Sequence, residues 1–228
     1  MDSIYDILMS LPLFKGANRE HMMQIVGSAR LHFLKYPAYE VIVRAGDPCR
    51  GLSFIISGRL QLRISNPDGL FSVTQTLNAP DVISPEFLFG KITIWPATAT
   101  AIGSVSMLHI DKADYLKILD TDPVFLFNYL NILSVCAQKS VEGILAVSTG
   151  RLPERIAFWI SALTQPRSSD IVLECRQRDL TGLFGVSRTA LRSALEEMKS
   201  HHLLDYTPSR ITVHDRAALL ALLHNHAE

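Results

Sequence analysis

The chain changes its hydrophobic rhythm three times. From Ile4 to Ala29 apolar residues recur at helical spacing (Ile4, Leu8 and Leu11, then Met22, Met23, Ile25 and Val26), and Pro12 and Gly16 interrupt them; this predicts short helices. From Leu31 to Ile110 the period drops to two. Strands are expected over Val41–Arg44, Ser53–Ile56, Leu60–Ile64, Phe71–Leu77, Ala97–Ala101 and Ser106–Ile110, with turns at Gly46–Asp47, Ser57–Gly58 and Asn66–Gly69. Many short strands without helical crossovers point to an antiparallel sandwich or barrel rather than a doubly wound parallel sheet.

A third regime begins at Asp111. Asp122 followed by Pro123 is a helix start, because Asp caps free N–H groups and Pro is tolerated in the first turn. Beyond it Leu126, Leu130, Leu133, Ala137, Ser140, Ile144 and Val147 follow at alternating four- and three-residue steps, a heptad seam ending near Gly150. Such a seam suits either a core helix or a dimer helix, and small Ala137 and Ser140 would let two copies approach closely. Another amphipathic helix spans Glu154–Leu163. After a Pro- and Ser-containing connector, the segment from Ile171 reads as a strand, two helices and a hairpin.

The most informative stretch is Arg178–Met198. Leu180, Leu183 and Phe184 can face Val186, Leu191, Leu195 and Met198, with Gly185 at a sharp turn and Ser187 as the cap of the second helix. This is a helix-turn-helix pattern, which purely structural helical hairpins also show. Arg188, Thr189 and Arg192 then lie opposite the core face. An arginine there can donate two parallel hydrogen bonds to guanine, and the Ser187 and Thr189 hydroxyls suit phosphates or base edges. Leu203–Tyr206 and Ile211–Val213 flank Thr207–Arg210 as a small wing, placing Ser209 and Arg210 near its tip. Arg178 joins the same basic patch.

Composition narrows the remaining classes. The chain has 228 residues, 48% hydrophobic and 19% charged, a globular balance with room for two modules. Its 22 Lys and Arg equal its 22 Asp and Glu, so any affinity for nucleic acid must come from a local patch. That patch is Arg176, Arg178, Arg188 and Arg192, with Asp179 as the single acid among them. No apolar run reaches the ~20 residues of a membrane helix, and the N-terminus lacks a secretory pattern, so a cytoplasmic protein is expected. The 3 cysteines, Cys49, Cys136 and Cys175, are too scattered for a disulfide framework or a paired-cysteine metal site. No nucleotide-binding, hydrolase or metalloprotease motif occurs; catalytic and metal sites are not expected, and the protein is read as a non-enzyme.

Over almost its whole length the chain resembles the cAMP receptor protein and FNR (CRP/FNR) family of bacterial transcription regulators. The resemblance is carried by Arg44–Asp47, Phe54–Gly58 with Arg59 and Leu60, and Pro67–Gly69, followed by the long helix and the winged helix-turn-helix. It implies an α+β fold: an N-terminal antiparallel, jelly-roll-like β-roll with short N-terminal helices over residues 1–121, a long dimerisation helix over 122–149 and a C-terminal winged helix-turn-helix over 150–228. It also implies a homodimer on double-stranded operator DNA, with RNA polymerase as a further partner and half-sites about 34 to 36 Å apart.

Departures from the family bear on the effector. Where cyclic-nucleotide members carry a Gly-Glu pair and later an Arg-Ser/Thr-Ala run, this chain has Ser84–Pro85 and then Trp95–Ala97. Without the arginine an anionic phosphate loses its bidentate partner, so cAMP is not expected; Lys91 and Arg59 are the residues that could compensate. Phe87, Leu88, Phe89, Trp95 and Lys91 mark an effector pocket that an apolar ligand, or those side chains themselves, would fill. No cysteine precedes Cys49, which disfavours an iron-sulfur cluster. Haem stays open, with His32, His109 and the methionines as axial ligands, and a haem- or redox-dependent regulator is the alternative reading. In the recognition helix Thr189 stands where many members have an acid, and Ser193 where they have a second arginine.

Overall fold

The structure, a computed structural model, describes residues 4–148 and 150–224. Its contacts divide the chain into two compact units. The first runs to Gln61 and resumes over Asn78–Ala137; the second takes Leu62–Leu77 and the described residues from Gln138 on.

In the first unit α1 (Ile4–Ser10) and α2 (Arg19–Ser28) precede the strands β1 (His32–Tyr36), β2 (Val41–Val43), β3 (Gly51–Ser57), β4 (Arg59–Ser65, which leads into the second unit), β6 (Asp81–Val82), β7 (Thr98–Ala101) and β8 (Val105–Asp111). An antiparallel sheet runs in the order β1-β8-β3-β6, and β2 pairs antiparallel with β7. All six expected strands are present to within about two residues, the fourth of them as β5 (Ser72–Asn78) of the second unit. β1 and β6 were not expected: β1 is mostly exposed and carries His32 and Lys35, so it lacks apolar alternation, and β6 has two residues. One side of the sheet buries Leu52, Phe54, Leu108 and Ile110, and Phe54 meets Phe14 at 6.2 Å between ring centres.

Helix α3 (Lys112–Thr121) follows β8, then α4 (Pro123–Ala146). Asp122 starts α4 as its spacing predicts, its carboxylate accepting from the Val124 N–H at 2.8 Å. The first turns of α4 bury Phe125 and Tyr129, and Asn128 Nδ2 donates to the Leu13 and Lys15 carbonyls at 2.8 Å each. Those bonds leave the opposite side of the helix uncovered. The helix ends at Ala146, so Val147, the last residue of the expected seam, stands in a turn after it, and Thr149 lies outside the described residues.

The second unit holds β5 (Ser72–Asn78, all but its last residue), α5 (Leu152–Leu163), β9 (Ser169–Glu174), α6 (Gln177–Phe184), α7 (Arg188–Ser200), β10 (Asp205–Thr207), β11 (Arg210–Val213) and α8 (Arg216–His224). Its strands run in the order β10-β11-β9-β5, all pairings antiparallel. Ile156, Ile160, Leu173, Leu191, Leu195, Met198 and Leu219 form its core together with Val73 of β5. Arg216 is buried against this core, donating to Ser161 Oγ at 2.7 Å and Thr164 Oγ1 at 3.0 Å, so its charge is met by oxygen acceptors of α5 and the residue that ends it.

One close approach in the first unit sets a strict steric limit. A Cβ on Gly51 would lie 2.3 Å from the Ile110 carbonyl oxygen and 2.8 Å from the His109 ring. Gly51→Ala should therefore destabilise the protein by about 1 to 3 kcal/mol, as overpacking of a closed site does; the midpoint of urea unfolding measures it.

Candidate nucleic-acid interface

The interface is built from an alternation of apolar and polar residues on two short helices. On α6, Leu180 and Phe184 stand one turn apart and are buried. Leu183, expected to join them, is 43% exposed, since the one-residue step back from Phe184 turns it about 100° away from that side chain. The chain then turns at Gly185, which sits at φ +64°, a left-handed conformation that an L side chain strains. The Val186 N–H donates to the Thr181 carbonyl at 3.1 Å, closing the helix end.

Ser187 caps α7 as expected, its Oγ accepting from the Ala190 N–H at 3.1 Å. Leu191, Ala194, Leu195 and Met198 face the core. By the 3.6-residue period, Arg188, Thr189, Arg192 and Ser193 fall on the other side, and all four are exposed. Among the described residues neither Arg188 nor Arg192 forms an ion pair. The first two turns of α7 thus present two uncommitted guanidinium groups, hydroxyls and the helix's unsatisfied N–H groups, a set of donors suited to phosphates and to base edges.

Other contacts brace the helix pair. Arg155 on α5 donates to the carbonyls of Phe184 (2.9 Å) and Ala146 (3.1 Å), and Arg151 pairs with Glu197 at 2.6 Å. The wing is fastened to α7 where the Tyr206 hydroxyl donates to Glu196 at 2.5 Å, a bond that raises the phenol's pKa. The wing turn, Pro208–Ser209, is tied to the start of α6 because the Gln177 N–H donates to the Pro208 carbonyl at 3.2 Å. Ser209 and Arg210 are exposed at that turn. Arg178 is also exposed but shares Asp179 with Arg176, at 3.3 and 2.7 Å; the Arg176 hydrogen bond is the main reason the Asp179 carboxyl titrates below the usual range.

The residues marked for an effector lie in the first unit and are largely packed. Leu88 is fully buried, Trp95 is 4% exposed, Phe87 and Phe89 are half-buried, and Lys91 is exposed. Phe89 is held between Lys112, whose Nζ stands 4.6 Å from the ring centre, and the edge of Tyr129 at 5.9 Å. Ser84–Glu86 form a short turn whose Pro85 carbonyl accepts from the Tyr129 hydroxyl at 3.1 Å. His32 and His109 are cross-strand neighbours, and both reach Asp111, at 3.6 and 3.5 Å. His109 also hydrogen-bonds Ser53 at 2.9 Å. Burial is the main reason its imidazole titrates below the ordinary range. Cys49 and Cys175 are buried thiols, and burial pushes Cys175 up to about 11.

Comparison with known proteins bears on both units. The cyclic nucleotide-binding domain family matches residues 33–122, and the Crp-like helix-turn-helix domain family matches residues 154–222. The chain is 20% identical over 190 residues to the cAMP-activated global transcriptional regulator CRP of Pasteurella multocida, covering 80% of this chain and 90% of that protein. It is 30% identical over 115 residues to the potassium channel GORK of Arabidopsis thaliana, covering 48% of this chain and 13% of the channel. Among solved structures, the catabolite activator protein of Thermus thermophilus matches with a TM-score of 0.52 at 19% identity, covering 95% of this chain and 100% of that one. The sensor domain of the regulator DNR from Pseudomonas aeruginosa matches with a TM-score of 0.51 at 19% identity, covering 63% of this chain and 94% of that domain. At this identity the structural matches speak for the fold alone.

The cap of α7 supplies a local test. Ser187→Ala removes the acceptor for the Ala190 N–H and should lower stability by about 1 kcal/mol, measured by thermal unfolding, while Ser187→Asp should retain it.

Proposed function

Because the chain belongs to the CRP/FNR family of transcription regulators, we propose that it works as a homodimer on double-stranded operator DNA. In this reading residues 1–121 sense a signal, the helix within 122–149 pairs two copies, and 150–228 bind DNA in the cytoplasm, with RNA polymerase as a further partner. Regulators of this family bind DNA and are not enzymes. The observation that carries the proposal is the start of α7, its first two turns, where Arg188 and Arg192 are exposed and, among the described residues, form no ion pair. Arg188 reads a base edge, Arg192 and Thr189 reach neighbouring bases or phosphates, and Ser187, Arg178, Ser209 and Arg210 hold the DNA backbone.

Dimerisation through α4 is supported by an apolar stripe that the described residues leave uncovered. Leu126, Leu130 (47% exposed), Ala137, Ser140, Ile144 (66%) and Val147 line it, and Leu133 is half-buried between them. A helix that leaves so much apolar surface on one face has a use for it, and a second copy supplies the matching stripe.

The effector is not cAMP in this proposal. At the positions where the family's nucleotide-binding members carry the phosphate arginine and its hydroxyl neighbour, Trp95 and Pro96 stand, and Trp95 is packed into the β-roll with its backbone N–H donating to the Asp47 carbonyl at 2.8 Å. An indole offers one N–H donor and no charge, so these residues do not fit an anionic phosphate. Leu88 is buried beside half-buried Phe87 and Phe89, and Lys91 lies exposed rather than in a closed anion site.

Two variants test the reading. Arg188→Ala should cost about 1 to 3 kcal/mol of discrimination at one operator position, read as altered selectivity in a binding assay on sequences recovered by genomic footprinting; unaltered selectivity defeats the assignment. Leu133→Glu puts a charge into the seam and should give a monomer with weakened operator affinity, and light scattering that finds an intact dimer would remove Leu133 from the interface.

A further inference from the structure

The strand that flanks the wing's sheet on the side away from β10 comes from far away in the chain. β4 and β5 form a hairpin closed by Asn66, whose N–H donates to the Phe71 carbonyl at 3.0 Å and whose side chain accepts from the Phe71 N–H at 2.9 Å. β5 then pairs with β9 in a defined register, Ser72 opposite Glu174 and Val73 opposite Leu173. The pairing is not superficial. Val73 is 1% exposed within the core of the second unit, Phe71 stacks obliquely on Trp159 at 6.1 Å, and Gln75 accepts the Gln165 N–H at 2.6 Å.

Glu174 occupies a particular place in this sheet. It stands opposite Ser72 on one side and opposite Arg210 on the other, and directly opposed residues of antiparallel strands share a face at a distance where opposite charges attract. Its carboxylate nevertheless does not take Arg210. It accepts from Ser72 Oγ at 2.9 Å and from Arg63 of β4 at 3.4 Å, while Arg210 forms no ion pair among the described residues. A cleft of about 480 Å³ opens here, lined by Gly69 and Leu70 of the hairpin turn, by Glu174, and by Ser209 and Arg210 of the wing.

We infer that Arg63 and Ser72 are positioning residues for the wing: by holding the Glu174 carboxylate on the hairpin side, they keep the Arg210 guanidinium available for a DNA phosphate. Without them Glu174 turns to its other cross-strand neighbour and neutralises the wing arginine. The pair is half exposed, and such pairs contribute little to stability; its role is to decide which cation the carboxylate meets. The inference rests on the DNA-binding reading of the wing, and it makes the hairpin at Leu62–Leu77 part of the DNA-binding surface's electrostatics.

The test uses the full-length protein and a generic duplex, since a phosphate contact is independent of sequence. Binding constants are measured across a salt series for the wild type, Arg63→Ala, Glu174→Gln and the double variant, after thermal unfolding has shown all four to be folded; Arg63→Lys, which keeps the cation, is a fifth. Loss of one phosphate contact makes the plot of log K against log salt shallower by about 0.9. Arg63→Ala should show that loss, and Arg63→Lys and the double variant should recover the wild-type slope. An unchanged slope in Arg63→Ala, or a double variant as shallow as Arg63→Ala, overturns the inference; the second result would make Arg63 itself the phosphate contact. A wild type with no salt-dependent binding would instead count against the DNA-binding reading. The inference is then decided without DNA: the Arg210 side-chain N–H resonance should shift in Arg63→Ala and return in the double variant, and a resonance that does not move refutes it.

Discussion

The burial of one face of α7 is the constraint on which the surface chemistry depends. Leu191, Ala194, Leu195 and Met198 cannot leave the core without opening a cavity among Ile160, Leu173 and Ile211, so the helix has no rotational freedom. Arg188 and Arg192 are outward because those four residues are inward. Gly185 and the Ser187 cap then fix where along its axis the helix begins, and with it the height at which the first guanidinium emerges. Specific readout of DNA needs this kind of rigidity, because a bidentate hydrogen bond tolerates little angular error.

The long helix α4 shows the opposite use of apolar residues. Its first turns bury Phe125 and Tyr129 and anchor Asn128 on two carbonyls, which leaves the face with Leu126, Leu130 and Ile144 in water. A helix hydrophobic on more than one side is stable only when each side finds a partner. The same residues that look like a core helix in isolation form an exposed apolar face once their neighbours are known.

How much was legible in the sequence follows from how local each signal is. The helix-turn-helix, the cap at Ser187, the start of α4 at Asp122 and most strands depend on residues within one turn or one hairpin, and they stand where their spacing puts them. β1 escaped because an exposed strand with His32 and Lys35 has no alternation to read. Leu183 was misplaced because two inward positions, Leu180 and Phe184, already use up the narrow face of a two-turn helix. The Arg63–Glu174 contact joins residues separated by 111 positions, and no local pattern announces a pairing that only the β5–β9 register creates. The wing's tip was visible in the sequence; the residue that governs its charge was not.

Arg155 ties two helix ends with one planar group. Its Nε and Nη2 reach the final carbonyl of α4, at Ala146, and the final carbonyl of α6, at Phe184, while the Phe184 ring lies under the same guanidinium at 5.5 Å. Because that plane is stiff, it acts as a linchpin: neither helix end can shift without breaking a hydrogen bond to the same guanidinium.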